Sequence, residues 1–130
     1  MASVLVIDDD ANVRSALTHV LQRAGFAVEA ADGGESGVRA YRRLHPDLVI
    51  TDIFMPDKEG IATMLEIRRE DPAARVLAIS GGGSLLGRDM LVAASRLGAV
   101  ATLGKPFAAA ELLAKVQTCL AAPADRVNDR

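Results

Sequence analysis

The sequence contains no tryptophan, and its only aromatics are three phenylalanines and one tyrosine. A core assembled from these 130 residues must therefore come from Val, Leu, Ile and Ala, which the 50% hydrophobic content supplies. There is one cysteine, Cys119, so no internal disulfide can form and nothing points to an oxidising compartment. Cys119 falls on a helical apolar pattern and reads as a small packing residue rather than a reactive thiol. Basic stripes are absent and the net charge is −2, which argues against direct nucleic-acid binding. The N-terminus has neither a charged leader nor a small-residue cleavage site, so it does not read as a signal peptide. No apolar run approaches the roughly 20 residues of a membrane span. The expectation from these absences is a soluble cytoplasmic protein of one domain, spanning residues 1–122, with a polar, frayed tail over 123–130.

What is present is an alternation of short apolar runs and longer segments of helical period. Val4-Leu5-Val6-Ile7 reads as a strand stopped by Asp8-Asp9-Asp10. Val13, Ala16, Leu17, Val20, Leu21 and Ala24 then recur at three- and four-residue steps, one helix face that Gly25 ends. Ala27 to Ala31 is a weaker strand. The next helix runs from the Gly33-Gly34 turn to about Leu44, with Val38, Tyr41 and Leu44 inward. Leu48 to Thr51 is a third strand, closed by Asp52. Ile61, Met64, Leu65 and Ile67 mark a helix ending at Asp71-Pro72. Val76 to Ile79 is a fourth strand, followed by Ser80 and Gly81-Gly82-Gly83. A helix over about Leu85 to Leu97 precedes a fifth strand from Ala99 to Leu103. Lys105-Pro106 is expected to open the last helix, with Leu112, Leu113, Val116 and Leu120 inward.

Strands apolar on both faces belong in a parallel sheet covered by helices on both sides. The expectation is an α/β, doubly wound, five-stranded fold with five flanking helices and its ligand site at the carboxyl ends of the strands. Those ends carry Asp8-Asp9-Asp10, Asp52, Ser80 and Lys105. One aspartate suffices to cap a helix, and Asp10 is the best placed to do so. Three successive acids on one rim repel one another unless a cation sits among them. Oxygen ligands select a hard cation, and Mg²⁺ uses one or two carboxylates beside phosphate oxygens. Asp9 and Asp52 fit that role. A carboxylate can also attack phosphorus to give an aspartyl phosphate. Lys105 would neutralise phosphoryl oxygens and Ser80 would donate a hydrogen bond to one. Taken singly, Ser80 reads as turn chemistry and Lys105 as a solvated lysine. Their shared rim favours the functional reading.

At this point the chain resembles the receiver domains of bacterial two-component response regulators. The resemblance rests on Val4 to Asp10, Asp47 to Pro56, Ala78 to Gly81 and Leu103 to Phe107, and it spans about Ser3 to Leu120. The flavodoxin-like strand order 2-1-3-4-5 comes with it, the chemotaxis receiver being a standard example of that order rather than anything the periodicity reveals. The resemblance implies that Asp52 is the phosphoacceptor and Asp9 a direct Mg²⁺ ligand, with Asp8 assisting and the Phe54 backbone carbonyl as a further ligand. It implies that Ser80 is the switch hydroxyl and Lys105 its partner in holding the phosphoryl group. The implied donor is a phosphohistidine on a sensor histidine kinase or a histidine phosphotransfer protein. With no DNA-binding domain after Leu120, output is expected through docking on an unknown downstream protein, by a monomer or transient dimer. The implied docking face is the fourth helix, fifth strand and fifth helix.

Two departures from the family pattern bear on mechanism. Thr102 stands where the family often has an aromatic that turns inward, so a ring-swing output is not expected. Phe54 and Gly82 flank the acceptor without polar side chains, which implies slow or moderate self-dephosphorylation. The glycine run after Ser80 suggests a fourth-helix start that orders on phosphorylation. Two other readings compete: a degenerate, docking-only receiver and a haloacid-dehalogenase-type phosphatase. The second places its nucleophile in an Asp-x-Asp pattern on the first strand, which Asp8-Asp9-Asp10-Ala11-Asn12 matches poorly, and the chain lacks room for a cap domain.

Overall fold

The computed structural model describes residues 2–53, 60–81 and 85–122, with the backbone alone described for 85–88 and 90. Strand β1 (Ser3–Ile7) leads into helix α1 (Ala11–Arg23), then β2 (Ala27–Ala31), α2 (Gly34–Leu44) and β3 (Leu48–Asp52). The chain continues through α3 (Gly60–Glu70), β4 (Val76–Gly81), α4 (Leu85–Arg96), β5 (Ala101–Lys105) and α5 (Ala109–Ala121). All pairings are parallel and the order is β2-β1-β3-β4-β5.

Alternation along the strands divides the core between the two faces of the sheet, as the pleat requires. Leu5, Ile7 and Val49 pack toward α2, α3 and α4, meeting Val38, Tyr41, Met64, Ile67 and Ala94. Val4, Val6 and Ile50 face α1 and α5, meeting Leu17, Leu21, Leu112, Val116 and Cys119. Cys119 is fully buried there, a packing residue as its pattern implies. Each fully buried leucine or isoleucine contributes about 1.5 to 3 kcal/mol, so aliphatic side chains replace the missing aromatics. Edge strand β2 is largely exposed along its length, which accounts for its weak apolar signal.

Helix ends follow local chemistry. Asp10 caps α1, accepting from Asn12 N at 2.8 Å and Val13 N at 3.4 Å. Gly25, at φ +99°, reverses the chain after α1, its N–H donating to the Gln22 carbonyl. Gly98, at φ +117°, performs the same turn after α4, where the Arg68 guanidinium donates to its carbonyl at 2.8 Å.

Three expectations need correction. Leu44 is 37% exposed rather than inward, because it is the last residue of α2 and lies at the amino-terminal rim near Pro46. The fifth strand is displaced by two residues and runs to Lys105, because its backbone keeps pairing with Ser80 and Gly81 after the apolar run has ended. Lys105-Pro106 therefore does not open the last helix. That helix starts at Ala109, where Glu111 accepts from the N-cap Ala108 N–H at 2.9 Å. The Lys105–Pro106 peptide is cis.

Candidate functional site

The carboxyl ends of β1, β3, β4 and β5 meet on one rim, beside the position where the chain order reverses across the sheet. This is where a doubly wound sheet opens its crevice. Asp8 follows β1, Asp52 ends β3, Ser80 lies next to last in β4, and Lys105 ends β5. The register sets Ser80 opposite Gly104 and Gly81 opposite Lys105. Among the described residues, nothing lies within 4 Å of where a Gly81 side chain would begin.

Lys105 holds the centre. Its Nζ donates to Asp52 Oδ2 at 2.9 Å and to Asp8 Oδ2 at 3.3 Å. Asp8 and Asp52 are both buried, at 1% and 7% exposure, while Asp9 is exposed. Burial pushes the Asp8 carboxyl above its ordinary range and the nearby Asp52 charge adds to this; the Asp10 N–H and Lys105 oppose it without cancelling it. Burial disfavours the Lys105 ammonium, but its bonds to Asp52 and Asp8 outweigh that and raise its pKa. The lysine is therefore favoured in its charged form between two buried carboxyl groups.

Asp8, Asp9 and Asp52 each bring a carboxylate oxygen within 4.8 Å of the others. Lys105 pairs with two of these three acids, both desolvated, and the candidate ligand atoms are all oxygen. That set fits a hard divalent cation such as Mg²⁺. The Phe54 carbonyl, expected as a further ligand, lies outside the described residues, as does the Gly82-Gly83 run. Ser80 is fully buried, and its hydroxyl has no hydrogen-bond partner among the described residues. A buried hydroxyl left unsatisfied is uncommon. Thr102 is half-buried in β5, opposite Ala78.

Two contributors were not read from the sequence. Gly60, the first residue of α3, packs so closely on the end of β3 that an added Cβ would lie 2.7 Å from the Asp52 carbonyl carbon. Its N–H also donates to the Ile53 carbonyl at 3.2 Å. Arg14 on α1 donates to the Asp8 carbonyl at 2.8 Å. Neither stands at a strand end, where the search for chemistry was directed. An arginine on the first turns of a helix carries no signal that it reaches back to a strand.

This geometry is that of a receiver. Residues 4–117 match the response regulator receiver domain model, and the chain belongs to that family. It is 35% identical over 118 residues to the chemotaxis protein CheY of Bacillus subtilis, covering 90% of this chain and 96% of that one. It is 36% identical to the CheY of Thermotoga maritima, covering 80% of this chain and 85% of the relative. The transcriptional regulatory protein PrrA of Mycobacterium tuberculosis is 36% identical over 117 residues, but this chain spans only 49% of it. Among solved structures, a response regulator receiver domain protein from Clostridium thermocellum superposes with a TM-score of 0.85 at 30% identity, covering 92% of this chain and 94% of that one. The chain is thus a receiver domain of two-component signalling, from a family whose members act as phosphoacceptor switches, bind Mg²⁺ in an acidic pocket and take phosphoryl groups from histidine kinases. Among the described residues, no helix is long and apolar enough to cross a membrane.

Proposed function

We propose that Asp52 is the phosphoacceptor of a signalling switch loaded from a phosphohistidine. The observation that carries this reading is the Lys105 ammonium seated between the buried Asp52 and Asp8, with the Asp9 carboxylate beside them. An oxygen of Asp52 attacks phosphorus, the P–N bond of the donor breaks, and its electron pair returns to the imidazole nitrogen. Lys105 stays charged throughout and pairs with the phosphoryl oxygens. When bound, Mg²⁺ supplies further positive charge to those oxygens, held by Asp9 and Asp52 with the Phe54 main-chain carbonyl, Asp8 assisting. The Ser80 hydroxyl donates to the arriving phosphoryl group. The protein assists its own phosphorylation and dephosphorylation and turns over no separate substrate.

Loading adds about −1.5 to −2 charge at the rim. Output is read by a partner protein on the α4–β5–α5 face. Val92 on α4 and Leu97 just past it are 51% and 45% exposed, large apolar side chains open to a partner. No DNA contact is invoked. The test is incubation with Mg²⁺ and acetyl phosphate, followed by intact-mass measurement of wild type and Asp52→Asn. The expected result is one phosphoryl adduct that needs Mg²⁺ and is absent from the variant. No adduct with any small donor or histidine kinase would support a docking-only receiver instead.

A further inference from the structure

We infer that Arg14 is a positioning residue for the metal-facing acid loop, acting through the main chain of Asp8 rather than through any carboxylate. The inference rests on the metal reading of Asp8, Asp9 and Asp52 given above.

At the end of β1 the ladder runs out. The Asp8 N–H still donates to the Ala31 carbonyl at 3.2 Å, but the Asp8 carbonyl has left strand pairing. A carbonyl on a residue this buried needs a donor. Arg14 supplies one, its Nη1 lying 2.8 Å away. A charged donor makes this bond shorter and stronger than a neutral one. The two Asp8 carboxylate oxygens are also taken, Oδ1 by the Asp10 N–H at 2.9 Å and Oδ2 by Lys105 at 3.3 Å. Every hydrogen-bonding atom of Asp8 is therefore held.

Asp10 is held as well. Its side chain caps α1, and its carbonyl accepts from the Arg14 N–H at 2.9 Å. Asp9 lies between these two anchored residues with its carboxylate exposed. The position of Asp9 over the site follows from the backbone on either side of it. The Arg14 guanidinium holds that backbone at Asp8, while the main-chain amide of residue 14 holds it at Asp10 as part of the first helical turn. Loss of a residue that orients a ligand from behind typically costs about 10- to 100-fold in metal affinity.

The sign of the effect separates this role from plain electrostatics. Removing a cation near three carboxylates strengthens binding of a divalent cation if charge alone matters. Loss of positioning weakens it. The experiment is calorimetric titration of Mg²⁺ alone into wild type, Arg14→Ala and Arg14→Lys, with no phosphodonor. Amide hydrogen exchange at Asp9 and Asp10 is measured in metal-free protein, and thermal melting checks the fold. Arg14→Ala should bind Mg²⁺ about tenfold more weakly and exchange faster at Asp9 and Asp10. Arg14→Lys, which keeps a charged donor of similar reach, should restore most of the affinity. Unchanged or tighter Mg²⁺ binding by Arg14→Ala, or equally slow exchange in its loop, overturns the inference. An equal loss in Arg14→Lys and Arg14→Ala also overturns it. If wild type itself takes no Mg²⁺, the metal reading fails, and exchange alone decides whether Arg14 orders the loop.

Discussion

Ser80 is costly to the fold, and the proposed function gives its hydroxyl a use at the site. Its hydroxyl is fully buried and has no partner among the described residues. An unsatisfied buried hydroxyl contributes nothing to stability and costs desolvation. Ser80→Ala should therefore leave the denaturant midpoint unchanged or raise stability by about 1 kcal/mol. The same variant should hold the Asp52 phosphoryl group less well, read as altered adduct yield or lifetime in the mass assay. A clear loss of stability would mean that the hydroxyl is bonded in the unloaded protein and is not kept for a ligand. Ser80 itself was legible in the sequence as a hydroxyl at a strand end. That it is unpartnered was not, since this depends on what every neighbouring element fails to offer.

Among elements, the contact between α2 and α3 gives the clearest energetic prediction. Tyr41 on α2 is buried, and its hydroxyl donates to Asp71 Oδ2, just past α3, at 2.6 Å. Burial first, and then the Asp71 charge, raise the tyrosine pKa well above its ordinary value. A raised folded-state pKa on an acid favours the protonated form. The stability it confers is fully present below the unfolded pKa of about 10 and is lost as pH rises beyond it. Tyr41→Phe should cost about 1.5 kcal/mol at neutral pH, since the bond is to a charged acceptor. The gap between wild type and variant should narrow above pH ~10. Urea melts at neutral and alkaline pH would test both parts, and a gap that widens with pH would refute the assignment. Tyr41 was recognised as inward from helical spacing alone, but its pairing with Asp71, 30 residues away, has no signal in the pattern.

At the scale of the whole molecule, the site works against the fold that holds it. Two buried acids crowd with a third within 4.8 Å, and the Asp8 carboxyl is pushed upward by its surroundings. A cation that binds only the folded protein stabilises it by mass action, by about 2.7 kcal/mol at a hundredfold excess over Kd. Mg²⁺ should therefore raise the thermal midpoint, chelation with EDTA should reverse the gain, and Asp9→Ala should abolish most of it. A midpoint indifferent to Mg²⁺ in the wild type would argue against a cation among these acids.

The sequence by itself determined the βα alternation, because buried strands and amphipathic helices leave different periods in the apolar residues. It also determined the chemistry of the rim, because parallel strands must deliver Asp8, Asp52, Ser80 and Lys105 to the same end of the sheet. Element boundaries were legible where a capping or breaking residue marks them, as at Asp10, Gly25 and Asp71-Pro72. They were not legible at β5, where Gly104 and Lys105 extend the strand through backbone pairing that needs no apolar side chain. Tertiary structure alone decided the finer points. It placed one ammonium between carboxylates 53 and 97 residues away, pressed Gly60 onto the end of β3, and turned Arg14 back onto the Asp8 carbonyl. Hydrogen bonds and close contacts depend on distances of a few ångströms between elements. Periodicity reports which face a residue occupies, and only packing sets what that face meets.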